Sequence, residues 1–126
     1  CVGMQMLAAE GLEYRPPPGF GWIAGRVERI APADPALKVP HMGWNELQVH
    51  RPHPVLAGVA PGAHAYFVHS WQFNVARAQD LVASVDHGGP VTAVVARDNI
   101  VGLQFHPEKS GALGLRILRN FLGWTG

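Results

Sequence analysis

The sequence predicts an α/β domain. Three observations lead there. Short runs rich in branched and aromatic residues fill the middle of the chain. Gly, Pro, Asn and Asp clusters separate them. Helix-forming stretches stand at both ends, the longer one at the C-terminus.

Residues 2–9 open the chain with the helix formers Met4, Gln5, Met6 and Leu7, and Gly11 offers a stop. Arg15-Pro16-Pro17-Pro18-Gly19 is a loop, because proline fixes φ and lacks the N–H that a helix or central strand needs. Residues 22–30 alternate enough to make a strand, and residues 31–40 are a Pro-broken connection. Residues 45–49 suit a second short strand, residues 50–54 a loop, and residues 55–59 one helical turn. Residues 65–69 are β-rich, with Tyr66, Phe67 and Val68 expected to be buried. Residues 81–85 and 91–96 bracket the turn Asp86-His87-Gly88-Gly89-Pro90. Asp98-Asn99 turns again into residues 100–105. The result is a three-stranded meander that delivers His106 at a strand end. In residues 111–124, Leu113, Ile117 and Phe121 share a stripe, with Leu118 and Leu122 beside it. Arg116, Arg119 and Asn120 take the other side. That stripe is expected to be core. No repeat or linker divides the chain, so residues 1–126 are read as one domain.

Ten basic residues against nine acidic ones, with no Lys/Arg run, exclude a nucleic-acid footprint. Charge, Pro or Gly interrupts every apolar run, so no membrane span is expected. Cys1 is the only cysteine, which excludes an internal disulfide framework and suits a reducing cytosol; a cytoplasmic location is expected. There is neither a signal peptide nor an initiator Met at the start, and the chain is expected to be a processed product or a piece of something longer.

The chemistry concentrates in His106-Pro107-Glu108 and in Cys1. Glu108 can hydrogen-bond one imidazole nitrogen of His106, setting its tautomer and stabilising imidazolium. The other nitrogen can then take a proton from a thiol and return it to a leaving amine. Cys1 stands just before the first helix, whose N-terminal dipole favours thiolate. The Val2 N–H, immediately after it, is placed to donate to an oxyanion. A strand–turn–nucleophile–helix elbow would need a strand before Cys1, which this sequence does not contain. His50-x-x-His53 with His64 lacks a third well-spaced ligand and is read as solvated loop, so no metal site is expected. Trp44 suits a core or an interface equally.

Cys1-Val2-Gly3-Met4-Gln5 resembles the nucleophile motif of class I glutamine amidotransferases. Gln104-Phe105-His106-Pro107-Glu108 resembles the His-Pro-Glu motif of the same superfamily. Lys38-Val39-Pro40-His41-Met42-Gly43-Trp44-Asn45, Tyr66-Phe67-Val68-His69-Ser70 and Glu108-Lys109-Ser110-Gly111 are similar to segments of the glutaminase subunits of imidazole glycerol phosphate synthases. The resemblance spans essentially the whole chain. It implies the flavodoxin-like α/β fold of that superfamily, N-terminally incomplete, with these residues as the C-terminal portion of the domain.

By resemblance, Cys1 is the nucleophile, His106 the general base and acid, and Glu108 the orienter. Gln5 and Val2 would serve the substrate glutamine, and the backbone at His69, Ser70 and Trp71 would hold its amino-acid end. His41, Met42, Trp44, Asn45 and Lys109 would face a (β/α)8-barrel cyclase in a heterodimer, with Trp44 near the ammonia exit. No cofactor is implied. Glutamine would be hydrolysed to glutamate and ammonia, and the partner would use the ammonia to make imidazole glycerol phosphate in histidine biosynthesis. Trp71 departs from the family's Tyr or Phe, which leaves its side-chain role open. The His69 side chain is expected to be structural. The alternatives are an anthranilate or pyridoxal phosphate synthase glutaminase, an N-terminal nucleophile using the α-amine of Cys1 as base, and a non-catalytic interaction module. Lacking N-terminal strands, the chain is expected to expose a sheet edge and part of its core.

Overall fold

A computed structural model describes residues 2–5, 7, 10–11 and 22–125. Helix α1 (Val2–Gln5) is followed by strands β1 (Glu10–Gly11) and β2 (Gly25–Arg29). β1 runs parallel to β2, with Glu10 opposite Arg26. Gly11, expected to stop a helix, therefore lies in a strand. Two residues carry no periodicity, so only their pairing reveals them. Residues 6, 8 and 9 of the expected helix, and the proline loop, lie outside the described residues.

The strand expected at residues 45–49 begins earlier and is interrupted. Strand β3 (His41–Glu46) precedes β4 (Gln48–Val49), with buried Leu47 between them. β3 pairs antiparallel along its whole length with β5 (His64–His69), from His41 opposite His69 to Glu46 opposite His64. Gly43, at φ +115°, weakens the local strand signal, and the β5 ladder overrides it. Strand β6 (Trp71–Val75) has no counterpart in the sequence reading. It lies antiparallel to β2, with Trp71 opposite Arg29, and only Phe73 within it is fully buried. Its polar Gln72 and Asn74 interrupt the apolar run, so pairing with β2 rather than composition makes it a strand.

β7 (Leu81–Asp86), β8 (Pro90–Arg97) and β9 (Ile100–Leu103) form the expected antiparallel meander, with β4 added on the β7 edge. β8 is buried at six successive positions. Val94 joins a large core cluster with Phe67, Phe105 and Ile117, and Val95 joins a smaller one with Met4, Leu7, Ile23 and Phe73. A strand covered on both faces is apolar throughout, which is why its sequence does not alternate. The parallel component among the described residues is the β1–β2 pair.

Helix α2 (Gly111–Gly123) follows a 3₁₀ turn at Pro107–Lys109. Its buried stripe is narrower than expected: Gly114 and Ile117 are buried, but Phe121 is half-exposed and Leu118 and Leu122 face outward. Asn120, assigned to the outer side, turns in. Its amide donates to the carbonyls of Val55 (2.9 Å) and Ala57 (2.8 Å), and Arg116 Nε donates to Ala57 as well (3.0 Å). The 3₁₀ turn Pro54–Leu56 has carbonyls that need donors, and this need sets which face of α2 packs against it.

Candidate active site

His106 is held by three elements. Its backbone N–H donates to the Tyr66 carbonyl of β5 (3.2 Å). Its carbonyl accepts from the Ser110 hydroxyl (2.7 Å), and Ser110 Oγ in turn accepts from the Tyr66 N–H (3.0 Å). Buried Ser110 thus clamps the His106 turn onto β5, a role that the sequence reading missed. The signal was a small hydroxyl residue at the junction of turn and helix. From below, α2 presses Gly114 against the Pro107 carbonyl, where a Cβ would overlap the backbone.

On this platform His106 Nδ1 lies 3.0 Å from Glu108 Oε1. A carboxylate accepts, so Nδ1 carries the proton, and in the neutral ring Nε2 keeps its lone pair. Glu108 is solvent-exposed. Its own backbone N–H holds its carboxyl below the ordinary carboxylate range, and the His106 contact adds to this. The pair is therefore an imidazole whose tautomer is fixed and whose Nε2 lone pair can accept a proton, the arrangement general acid–base chemistry requires.

A second group of residues converges from α1, β5–β6 and the end of β9. Gln5 Nε2 donates to the Trp71 carbonyl and to Gln104 Oε1, each at 3.2 Å. His69 Nδ1 donates to the same Trp71 carbonyl (2.8 Å). Both lone pairs of that oxygen are thus engaged. The Ser70 carbonyl accepts from the Ile30 N–H (2.9 Å). The Trp71 ring packs on the smaller core cluster, a structural use for this departure from the family's Tyr or Phe. Cys1 lies outside the described residues, as does the Val2 side chain; Val2 begins α1.

The expected partner-facing residues divide. Met42 (63% exposed) and Trp44 (57%) project from β3, opposite Val68 and Tyr66 of β5, and Lys109 is exposed. Asn45 shares the His41 face of β3 and is half-buried, its amide donating to the Asp86 carbonyl (2.8 Å). His41 offers no surface either: at 3% exposure it is turned inward. Residue alternation along β3 sends it to the opposite face from Met42. Its Nδ1 lies 2.9 Å from His69 Nε2, and its Nε2 lies 3.2 Å from Asn45 Nδ2. The same alternation corrects residues 66–68 on β5: Phe67 is fully buried, whereas Val68 is exposed and Tyr66 half-buried. His50 and His53 serve as hydrogen-bond partners, of Ser84 and of the Val55 N–H respectively.

The family model for class I glutamine amidotransferases matches residues 1–123. The chain belongs to that family. It is 61% identical over 124 residues to the imidazole glycerol phosphate synthase subunit HisH of Cereibacter sphaeroides, covering 98% of this chain and 58% of that protein. The HisH proteins of Ruegeria pomeroyi (60% identity; 99% of this chain, 59% of that protein) and Azospirillum brasilense (60%; 97% and 64%) are similar to it in the same way. The chain thus spans about three-fifths of the length of these curated relatives. A Thermoplasma acidophilum protein described as a GMP synthase subunit shares the fold. Its TM-score is 0.62 at 21% identity, over 79% of this chain and 47% of that one. Among the described residues, no helix is long and apolar enough to cross a membrane.

Proposed function

We propose that the chain carries the glutaminase chemistry of an imidazole glycerol phosphate synthase. In this reading the Cys1 thiolate attacks the carboxamide carbon of glutamine, and the Val2 N–H receives the oxyanion. His106 Nε2 takes the thiol proton and delivers it to the leaving ammonia. Water, activated by the same nitrogen, then cleaves the thioester to glutamate. The observation that carries the reading is the 3.0 Å His106–Glu108 pair on its clamped turn, in a chain of 61% identity to a HisH protein.

The ammonia would pass to a (β/α)8-barrel cyclase docked over Met42 and Trp44, with Lys109 nearby. An apolar seal there keeps ammonia from bulk water, where protonation would remove its nucleophilicity. Gln5 would help hold the substrate glutamine, and the backbone at His69, Ser70 and Trp71 would hold its amino-acid end.

The deciding experiment measures glutamine hydrolysis by the full-length enzyme, with and without a cyclase partner. Turnover should rise strongly with the partner and disappear in Cys1→Ala. A Cys1→Ala enzyme that keeps wild-type turnover would refute the mechanism.

A further inference from the structure

Behind the exposed face of β3 runs a chain of hydrogen bonds with no freedom of direction, buried at its His41–His69 centre and open to solvent at its Asn45 end. At one end the Asn45 amide is fixed by its neighbours. Its Oδ1 accepts from the Glu46 N–H (2.8 Å), so its Nδ2 is the donor, and Nδ2 gives one proton to the Asp86 carbonyl (2.8 Å). Its other proton points to His41 Nε2 (3.2 Å), which must accept. At the far end the Trp71 carbonyl can only accept, so His69 Nδ1 carries a proton. In a neutral ring His69 Nε2 is then an acceptor, and the 2.9 Å contact between the rings is filled by the proton on His41 Nδ1. The two ends thus dictate both tautomers in the middle.

The surroundings favour this neutral arrangement. His41 and His69 are 3% and 7% exposed. Phe67 stacks on His41 at 4.9 Å, and the His87 ring lies 4.5 Å away, anchored by its own bond to the Lys38 carbonyl. Burial first, and then the neighbouring charges, push both rings down to a pKa of about 4, against the opposing effect of the Trp71 carbonyl on His69. A proton added to either ring would set two donors against each other.

We propose that His41 is a positioning residue. By donating to His69 it locks the tautomer with which His69 holds the Trp71 carbonyl, and so ties β3 to the β5–β6 backbone at the glutamine site. The proposal rests on the glutaminase reading for its functional consequence. Its physical basis is the convergence at Trp71, where Gln5 from α1 meets His69 on one oxygen. If His69 turned to its other tautomer, an unprotonated Nδ1 would face that oxygen. The Trp71–Gln72 peptide would lose one of its two side-chain anchors.

The test uses the full-length enzyme with its partner. Nitrogen-15 spectra of the assigned histidine rings read the tautomers directly. At neutral pH both His41 and His69 should be protonated on Nδ1 only. His41→Asn, whose amide nitrogen can stand where Nδ1 does, should retain the His69 tautomer and hold KM for glutamine within about twofold. His41→Leu should release the tautomer and raise KM about five- to tenfold, with a smaller fall in kcat. If His41→Leu fails to fold, His41→Gln replaces it, since its longer amide no longer matches the Nδ1 position. The same rise in KM is expected. A His69 proton found on Nε2 in the wild type overturns the proposal, and so does an unchanged KM in a folded Leu or Gln variant. Wild-type protein that shows these tautomers but hydrolyses no glutamine would overturn the glutaminase reading, and the positioning role with it. The spectra separate that failure from a failure of the hydrogen-bond chain itself.

Discussion

Gln5 and Gln104, 99 positions apart, are joined side chain to side chain at 3.2 Å. The bond links the helix that follows Cys1 to the strand end that precedes His106. The segment after Cys1 and the segment before His106, at opposite ends of the sequence, are therefore stitched together by a part-buried amide pair that also holds the Trp71 carbonyl.

Gln5→Glu should harm the protein more than Gln5→Ala. The amide nitrogen donates to two oxygens, and a carboxylate in its place would present an acceptor to both. Gln5→Ala should lower stability by about 1 kcal/mol, the usual net worth of such a bond, and raise KM for glutamine. Gln5→Glu should lower both stability and activity further. Thermal unfolding and steady-state glutamine hydrolysis measure the two effects, and equal effects would contradict this account.

His106→Ala should reduce kcat by about 10²–10⁴, the usual range for a lost acid–base group. Glu108→Gln should cost less, because an amide oxygen can still accept from Nδ1 while offering no charge to imidazolium. Because the Glu108 carboxyl is held below its ordinary range, the carboxylate persists as the pH falls past the value at which a free one would protonate. In the wild type, the carbon-13 signal of the Glu108 carboxyl should therefore titrate at a lower pH than that of an unperturbed glutamate.

Acid should destabilise the fold through His41 and His69. Their folded pKa values, about 4, lie below the 6.5 of a free histidine, so the unfolded chain binds more protons between those values. Stability is highest with both rings neutral, above pH 6.5. It falls as the pH drops towards 4 and levels off below. The loss should be on the order of a few kcal/mol for the pair. A His69→Asn variant, which can still donate to Trp71, should flatten the dependence in urea titrations run at a series of pH values.

Ser110→Ala should cost about 1–3 kcal/mol, since the Tyr66 N–H loses its acceptor in a buried setting. Gly114→Ala forces a Cβ into the Pro107 carbonyl and should cost about 1–3 kcal/mol while displacing the His106 turn. Both variants should lose glutaminase activity beyond what their melting temperatures account for.

Trp44→Ala should leave the melting temperature of the isolated protein almost unchanged, because most of the ring faces solvent. Its effect should appear on titrating the cyclase partner, as weaker binding and less activation. Large destabilisation of the protein alone would mean that the ring is core.

Periodicity and turn chemistry were enough for the β7–β9 meander, for α2, and for His106 at a strand end. Each of these depends on local pattern: a continuous apolar run for β8, Asp-His-Gly-Gly for the turn, and 3.6-residue spacing for the helix. β1, the start of β3 and β6 escaped because pairing, not composition, makes them strands. The inward turn of Asn120 escaped for a related reason, since the carbonyls it serves belong to residues far away in sequence.

The candidate site divides along the same line. The sequence alone named Cys1, His106 and Glu108, because the types of side chain and the two-residue spacing carry the chemistry. It also placed Met42 and Trp44 in a segment suited to a partner. Only the folded chain put His41 inside, set it against His69, and closed the bonds from Asn45 to Trp71. Alternation along a strand decides which of two neighbours faces solvent, and that depends on which face of the sheet the core covers. A hydrogen bond between residues 28 positions apart has no local signature at all.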